Sequence, residues 1–215
     1  HQHNLSIQGG NATTSYNLSV GYRNQEGMTA KTSNERMTAL FTMKSEIAKG
    51  LMLNLNINAY NNKHNAPNGE PQSIDGMIGY AVRQGPIYAG QKSDGSFGYQ
   101  DNYSPEAWLA SESFVQNVSR NISASGQLTW NTPVDGLSFI GKAGVNYWTK
   151  YDKAYRADTY FDDSKTVGPA TLNVWTANNT YTTFEALATY EKQIKNHTFK
   201  LLAGTSVEQS NNKGL

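Results

Sequence analysis

Cysteine is absent from the 215 residues, so the chain has no disulfide and no thiolate to hold a metal. Charge is scarce as well. Asp, Glu, Lys and Arg make up 16% of the chain, against roughly 25% in an ordinary soluble domain. The 18 basic and 17 acidic residues leave a net charge of +1, which offers no electrostatic footprint for nucleic acid. No run approaches the roughly 18 apolar residues of a membrane-crossing helix. The catalytic signatures G-x-S-x-G, the P-loop and H-E-x-x-H are missing, so a hydrolase finds little support. The opening "HQHNLS" has no Met, no basic leader and no apolar signal core, and reads as a mature terminus or, preferably, a cut fragment. Asn, Ser, Thr, Gly and Tyr fill the gap, and 13 tyrosines and 4 tryptophans suit strands better than helices.

What is present is alternation. In "LMLNLNINAY", residues 51–60, apolar and polar side chains trade places at period two, the mark of a strand with two unlike faces. The same pattern predicts strands over 2–10, 14–25, 35–48, 51–63, 114–131, 137–156, 175–194 and 197–210. Several are far longer than the five or six residues usual in globular sheets. The connections alternate short and long: "GNAT", "EGMTAKTSN", "KG", 64–113, "TPVDG", 157–174 and "KN". An up-and-down sheet puts every second connection at the same end, so one end has tight turns and the other large loops. This predicts an all-β, antiparallel, up-and-down wall segment of a transmembrane β-barrel, with about eight long strands, short periplasmic turns and long extracellular loops.

The faces agree with that reading. Leu51, Leu53, Leu55 and Ile57 are the predicted lipid-facing set, with Tyr16, Leu18, Val20 and Tyr22, and with Leu137, Phe139, Ala143, Val145 and Tyr147 on other strands. Asn54, Asn56 and Asn58 are predicted to face the lumen, with Asn17, Ser19, Arg23, Ser138, Lys142 and Asn146. Short neutral amides bond to water, to neighbouring strands or to a plug without crowding like charges. Ile140, Leu187 and Leu202 break the pattern on the polar face. Two other architectures share the alternation: a soluble β-sandwich adhesin or carbohydrate-binding module, and a self-contained eight-stranded barrel.

"HNLSIQGGNATTSYNLSVGYRNQEGMTAKTSNERMTALFTMK" adds a resemblance. Gly9, Gly10, Ser15, Tyr16, Ser19, Gly21, Tyr22, Gln25, Glu26, Gly27, Ser33, Glu35 and Arg36 follow an early barrel pattern of the SusC/RagA-like TonB-dependent outer-membrane transporters of Bacteroidetes. "GPIYAGQKSDGSFG" and "NHTFKLLAGTSVEQS" resemble later motifs of that family, so the similarity runs along nearly the whole chain. It implies a partial barrel over 1–215, starting near the second barrel strand, with long extracellular loops at 64–113 and 157–174. It also implies a cell outer-membrane location, a SusD-like surface lipoprotein partner, and a TonB complex reached through a plug domain. The cargo would be an oligosaccharide or a peptide. Neither cofactor nor catalysis is implied.

The strongest binding candidates lie in the first long loop: Tyr80, Tyr88, Phe97, Tyr99, Tyr103 and Trp108. Such rings either stack on sugar or contact a lid lipoprotein, or they build the loop's own small core. Two short helices are predicted there, around "SIDGMIGYAV", with Ser73 or Asp75 as cap and Pro86 barring extension, and at "SPEAWLA", with Ser104 as cap and Pro105 in the first turn. His1 and His3 share a face but have no further ligand beside them, and Asp162 and Asp163 read as solvated loop residues. "DGSFGYQDN" lacks EF-hand spacing. The Asn-x-Ser/Thr triplets at Asn4, Asn17, Asn102, Asn117, Asn121, Asn178 and Asn196 are by-products of same-face neighbours two residues apart.

Overall fold

Long alternating segments have to lie in a sheet, because only there do their two faces meet two different environments. The computed structural model describes residues 1–68, 74–101 and 103–214, and at helix positions 74–77 and 80 the backbone alone. Eight long strands appear: β1 (Gln2–Gly10), β2 (Thr14–Glu26), β3 (Ser33–Ala48), β4 (Leu51–Ala66), β5 (Phe114–Asn131), β6 (Leu137–Arg156), β9 (Thr171–Ile194) and β10 (His197–Gly214). They form one antiparallel sheet in the order β1-β2-β3-β4-β5-β6-β9-β10. A small hairpin, β7 (Thr159–Asp162) and β8 (Lys165–Val167), and two helices, α1 (Ile74–Arg83) and α2 (Pro105–Ala110), decorate the connections.

The tight turns have local causes. Between β1 and β2, Asn11 Oδ1 accepts the backbone N–H groups of Thr13 and Thr14 at 2.9 and 2.8 Å, closing the turn with its own side chain. Between β3 and β4, Gly50 adopts φ 75°, and a Cβ there would lie 2.6 Å from the Asn131 carbonyl oxygen. Gly136, at φ 82° before β6, is pressed still closer to the Glu191 carbonyl. Between β9 and β10 the turn is only Lys195 and Asn196, with Lys195 in the left-handed region at φ 54°. All four turns lie at one end, and the connections 27–32, 67–113 and 157–170 lie at the other.

Neither rival architecture is formed. Among the described residues β1 and β10 do not pair, so the sheet does not close into an eight-stranded barrel. Among the described residues no second long sheet covers the apolar face, as a sandwich requires: Leu5, Ile7, Phe184 and Val207 are all more than half exposed. The total accessible surface is 14027 Å². A closed globule of 23.7 kDa would expose about 9,800 Å². The excess is the two faces of an uncovered sheet.

Apart from one irregularity between Glu46 and Ala48 of β3, the register is continuous across all eight strands, so the faces can be read as rows. One row is Ile7, Leu18, Phe41, Ile57, Ala124, Val145, Thr182 and Gln209. The next is Gly9, Tyr16, Met43, Leu55, Gly126, Ala143, Phe184 and Val207. Between them, on the opposite face, runs Gln8, Asn17, Thr42, Asn56, Ser125, Gly144, Thr183 and Glu208.

Candidate functional site: two faces and a loop cap

On the polar face side chains bond across strands. Asn121 Nδ2 donates to Asn146 Oδ1 at 3.0 Å, Asn117 Nδ2 to Asp152 Oδ1 at 2.7 Å, and Asn179 Nδ2 to Ser210 Oγ at 3.0 Å. Its cations are partly paired with acids: Lys142 with Glu185 at 3.1 Å and Lys150 with Asp152 at 3.0 Å. Asn54 and Asn56, with Gln127, Lys142, Glu185 and Glu208, line a shallow groove of about 410 Å³ on this face. Asn58 stands one polar row nearer the long loops, opposite Leu40 and Ser123. Ile140 and Leu187 face one another across β6 and β9 at the tight-turn end, whereas Leu40 stands apart from them on β3.

The apolar face carries Leu51, Leu53, Leu55 and Ile57 together with Trp130 and Phe139, whose rings stack at 5.9 Å near the tight turns. Tyr22, Tyr147 and Tyr151 lie on the same face towards the long loops. Among the described residues no group of three or more His, Asp or Glu could hold a metal. His1 uses its terminal ammonium on the Asn24 carbonyl at 2.6 Å.

The long connections build a cap around a buried apolar cluster. Trp108 and Ala107 of α2 and Phe161 of β7 form its centre, with Phe97, Tyr99, Leu109 and Val167 packed around it. The Trp108 and Phe161 rings meet edge to face at 5.9 Å, and Tyr99 sits 5.4 Å from Phe161. α2 forms here because Ser104 caps it, its hydroxyl accepting the Ala107 N–H at 3.4 Å, and Pro105 occupies the first turn. α1 stops at Arg83, before Pro86. The two loops are tied by the Phe97 N–H donating to the Phe161 carbonyl at 2.7 Å and by Lys92 on Asp162 at 3.2 Å. Ala157 N–H donates to Ser113 Oγ at 2.9 Å, and Asn68 Nδ2 to the Tyr155 carbonyl at 2.9 Å, seating the cap on the strand ends. Lys31, from the connection 27–32, donates to the Ser111 carbonyl, and partial desolvation there lowers the pKa of its ammonium.

The six aromatic candidates therefore divide. Trp108 is fully buried, and Phe97 and Tyr99 pack against it, so these three serve the loop's own core. Tyr88 and Tyr103 are half-buried, and Tyr103 lines a small cavity of about 160 Å³ with Arg83, Gln84, Gln100, Asp101 and Pro105. Tyr80 belongs to α1, but its side chain, like Ser73 and Asn102, lies outside the described residues. Asp162 is held below the ordinary carboxylate range, first by the Ser164 hydroxyl at 2.8 Å and further by Lys92. Asp163 accepts the Tyr160 phenol at 2.8 Å, which raises that phenol's pKa. Sequence reasoning missed Phe161 and Lys31, because both matter through contacts between separate loops. It also passed over Arg120, although the alternation alone puts this residue on the apolar face.

No protein-family model matches this chain. In sequence it is similar to "TonB-dependent receptor P3" of Formosa agariphila, 24% identical over 98% of this chain and 21% of that receptor. In fold it is similar to the RagAB peptide transporter, with a TM-score of 0.68 and 19% identity over 98% of this chain and 25% of that one. In sequence and in fold the chain is thus similar to a stretch of TonB-dependent receptor barrel. The Escherichia coli ferric-catecholate import receptor Fiu shares the fold at a TM-score of 0.59 and 13% identity, over 98% of this chain and 32% of that receptor. The chain thus spans about a fifth of its curated relative. In a TonB-dependent receptor barrel, open sheet edges and uncovered faces are what an arc of wall must have.

Proposed function

We propose that this chain forms part of the wall and outer rim of an outer-membrane, TonB-dependent transporter that imports a large nutrient, an oligosaccharide or a peptide. The observation that carries the reading is a single sheet layer with a continuous band of uncharged rows on one face and a polar opposite face. Along β6 the apolar stretch of that face runs from Leu137 to Tyr147, before the polar Thr149. At about 3.3 Å per residue and a tilt of about 40°, those ten steps rise about 25 Å, the height of a barrel's lipid-facing band. Leu51, Leu53, Leu55 and Ile57 then meet hydrocarbon. Asn54, Asn56 and Asn58 meet the lumen and a plug domain, through which the TonB complex acts. Tyr88 and Tyr103, at the exposed rim of the cap, contact cargo or a SusD-like surface lipoprotein, and the buried core of the cap fixes their position. The segment does no chemistry and holds no cofactor.

The test is a pair of neighbours on one strand. In the complete receptor, Leu55→Arg costs about 2–4 kcal/mol of folding free energy into bilayers, and Asn56→Arg costs less than about 1 kcal/mol. Equal costs at the two positions overturn the assignment of faces.

A further inference from the structure

We infer that the apolar face carries a binding site for a lipid with a phosphate headgroup, centred on Arg120 at the long-loop edge of the uncharged band. This rests on the wall reading above and goes beyond it. Arg120 is opposite Asn61 of β4 and Thr149 of β6, one row above Ala39, Ala59 and Ile122. Ala39 and Ala59 face each other across β3 and β4, and two such small side chains leave a depression in an otherwise bulky face. Met37 and Ile122 wall it, Asn61 and Arg120 stand at its upper rim, and it measures about 320 Å³. The floor suits an acyl chain and the rim suits an anion.

Arg120 is held for that purpose. Its Nε donates to Asn61 Oδ1 at 3.2 Å, which fixes one edge of the guanidinium. Its terminal nitrogens have no carboxylate within ion-pair distance among the described residues. The same-face neighbours Asn61, Val118, Ile122 and Thr149 are uncharged. Glu35, the nearest acid on this side of β4, is already opposite Lys63. A lipid-facing arginine is costly at mid-depth and nearly free at the interface, and Arg120 stands at the long-loop edge of the uncharged band, where it can persist. There a planar guanidinium meets headgroup phosphate, which it binds through paired N–H donors.

The test uses the complete receptor in nanodiscs of phosphatidylcholine supplemented with lipid A, either phosphorylated or enzymatically dephosphorylated, with retained lipid A quantified by mass spectrometry after washing. The expected result is selective retention of the phosphorylated form, reduced about tenfold by Arg120→Gln and less by Arg120→Lys, and unchanged by Lys142→Gln on the polar face. Retention that ignores the phosphate, or no retention because a protein partner fills the depression, overturns the site. Undiminished retention in Arg120→Gln, with Leu55→Arg still impairing insertion, overturns the lipid site and leaves the wall reading intact. Loss of the Leu55 and Asn56 asymmetry overturns both.

Discussion

The sheet and the cap are stabilised by opposite means. The sheet has a continuous hydrogen-bond ladder over eight strands but few buried apolar side chains, and its leucine rows await an environment. The cap has little regular structure but encloses Trp108, Ala107 and Phe161 completely or nearly so. The difference teaches that the wall owes its stability to what surrounds it, whereas the rim carries its own core. A bilayer makes the uncovered rows favourable; no bilayer is needed for Trp108.

That contrast can be broken most severely at Trp108. Trp108→Ala removes the largest buried side chain of the cap, and a cost of about 3–5 kcal/mol to local stability is expected. Limited proteolysis should then cut within 67–113 and 157–170 while the strands stay protected; cleavage spread through the strands would show that wall and cap melt together. Smaller is the effect of Ser104→Ala, which removes the cap of α2 and should cost about 1 kcal/mol, read as faster amide exchange at Ala107 and Trp108. Unchanged exchange would mean that packing alone holds the helix.

The smallest effect is acid sensitivity. Asp162 has its carboxyl pKa lowered in the folded cap, so its contribution is present above its ordinary value of 3.8 and lost as pH falls below that towards the depressed folded value. Asp94, lowered by its bond from Ser96, shifts in the same direction. Exchange protection in β7–β8 should therefore decline below about pH 4 while that of β5–β6 holds. Lys92→Met should abolish part of this difference, and a pH-independent β7–β8 would rule out the ion pair as its cause.

Much of the wall was legible because it is written locally. The expected strands 2–10, 114–131 and 137–156 coincide with β1, β5 and β6, and β9 merely begins four residues earlier, at Thr171. Leu55 and Asn56 sit in unlike rows, as neighbours on a strand must. The cap was less legible. β7 and β8 have four and three residues, too few for a period to show. Phe161 pairs with Trp108 across more than fifty positions of chain, and nothing near either residue announces the other. Of the aromatic candidates, composition could say only that rings were plentiful; packing at the Trp108–Phe161 centre separates Trp108, Phe97 and Tyr99 from Tyr88 and Tyr103.

The bond from Lys31 to Ser111, the salt bridge from Lys92 to Asp162 and the Phe97 to Phe161 backbone link join all three long connections into one piece. A pull on any one of them is therefore shared with the other two. An epitope tag spliced into one connection would disturb its neighbours, and the rim responds as a plate, not as separate fingers.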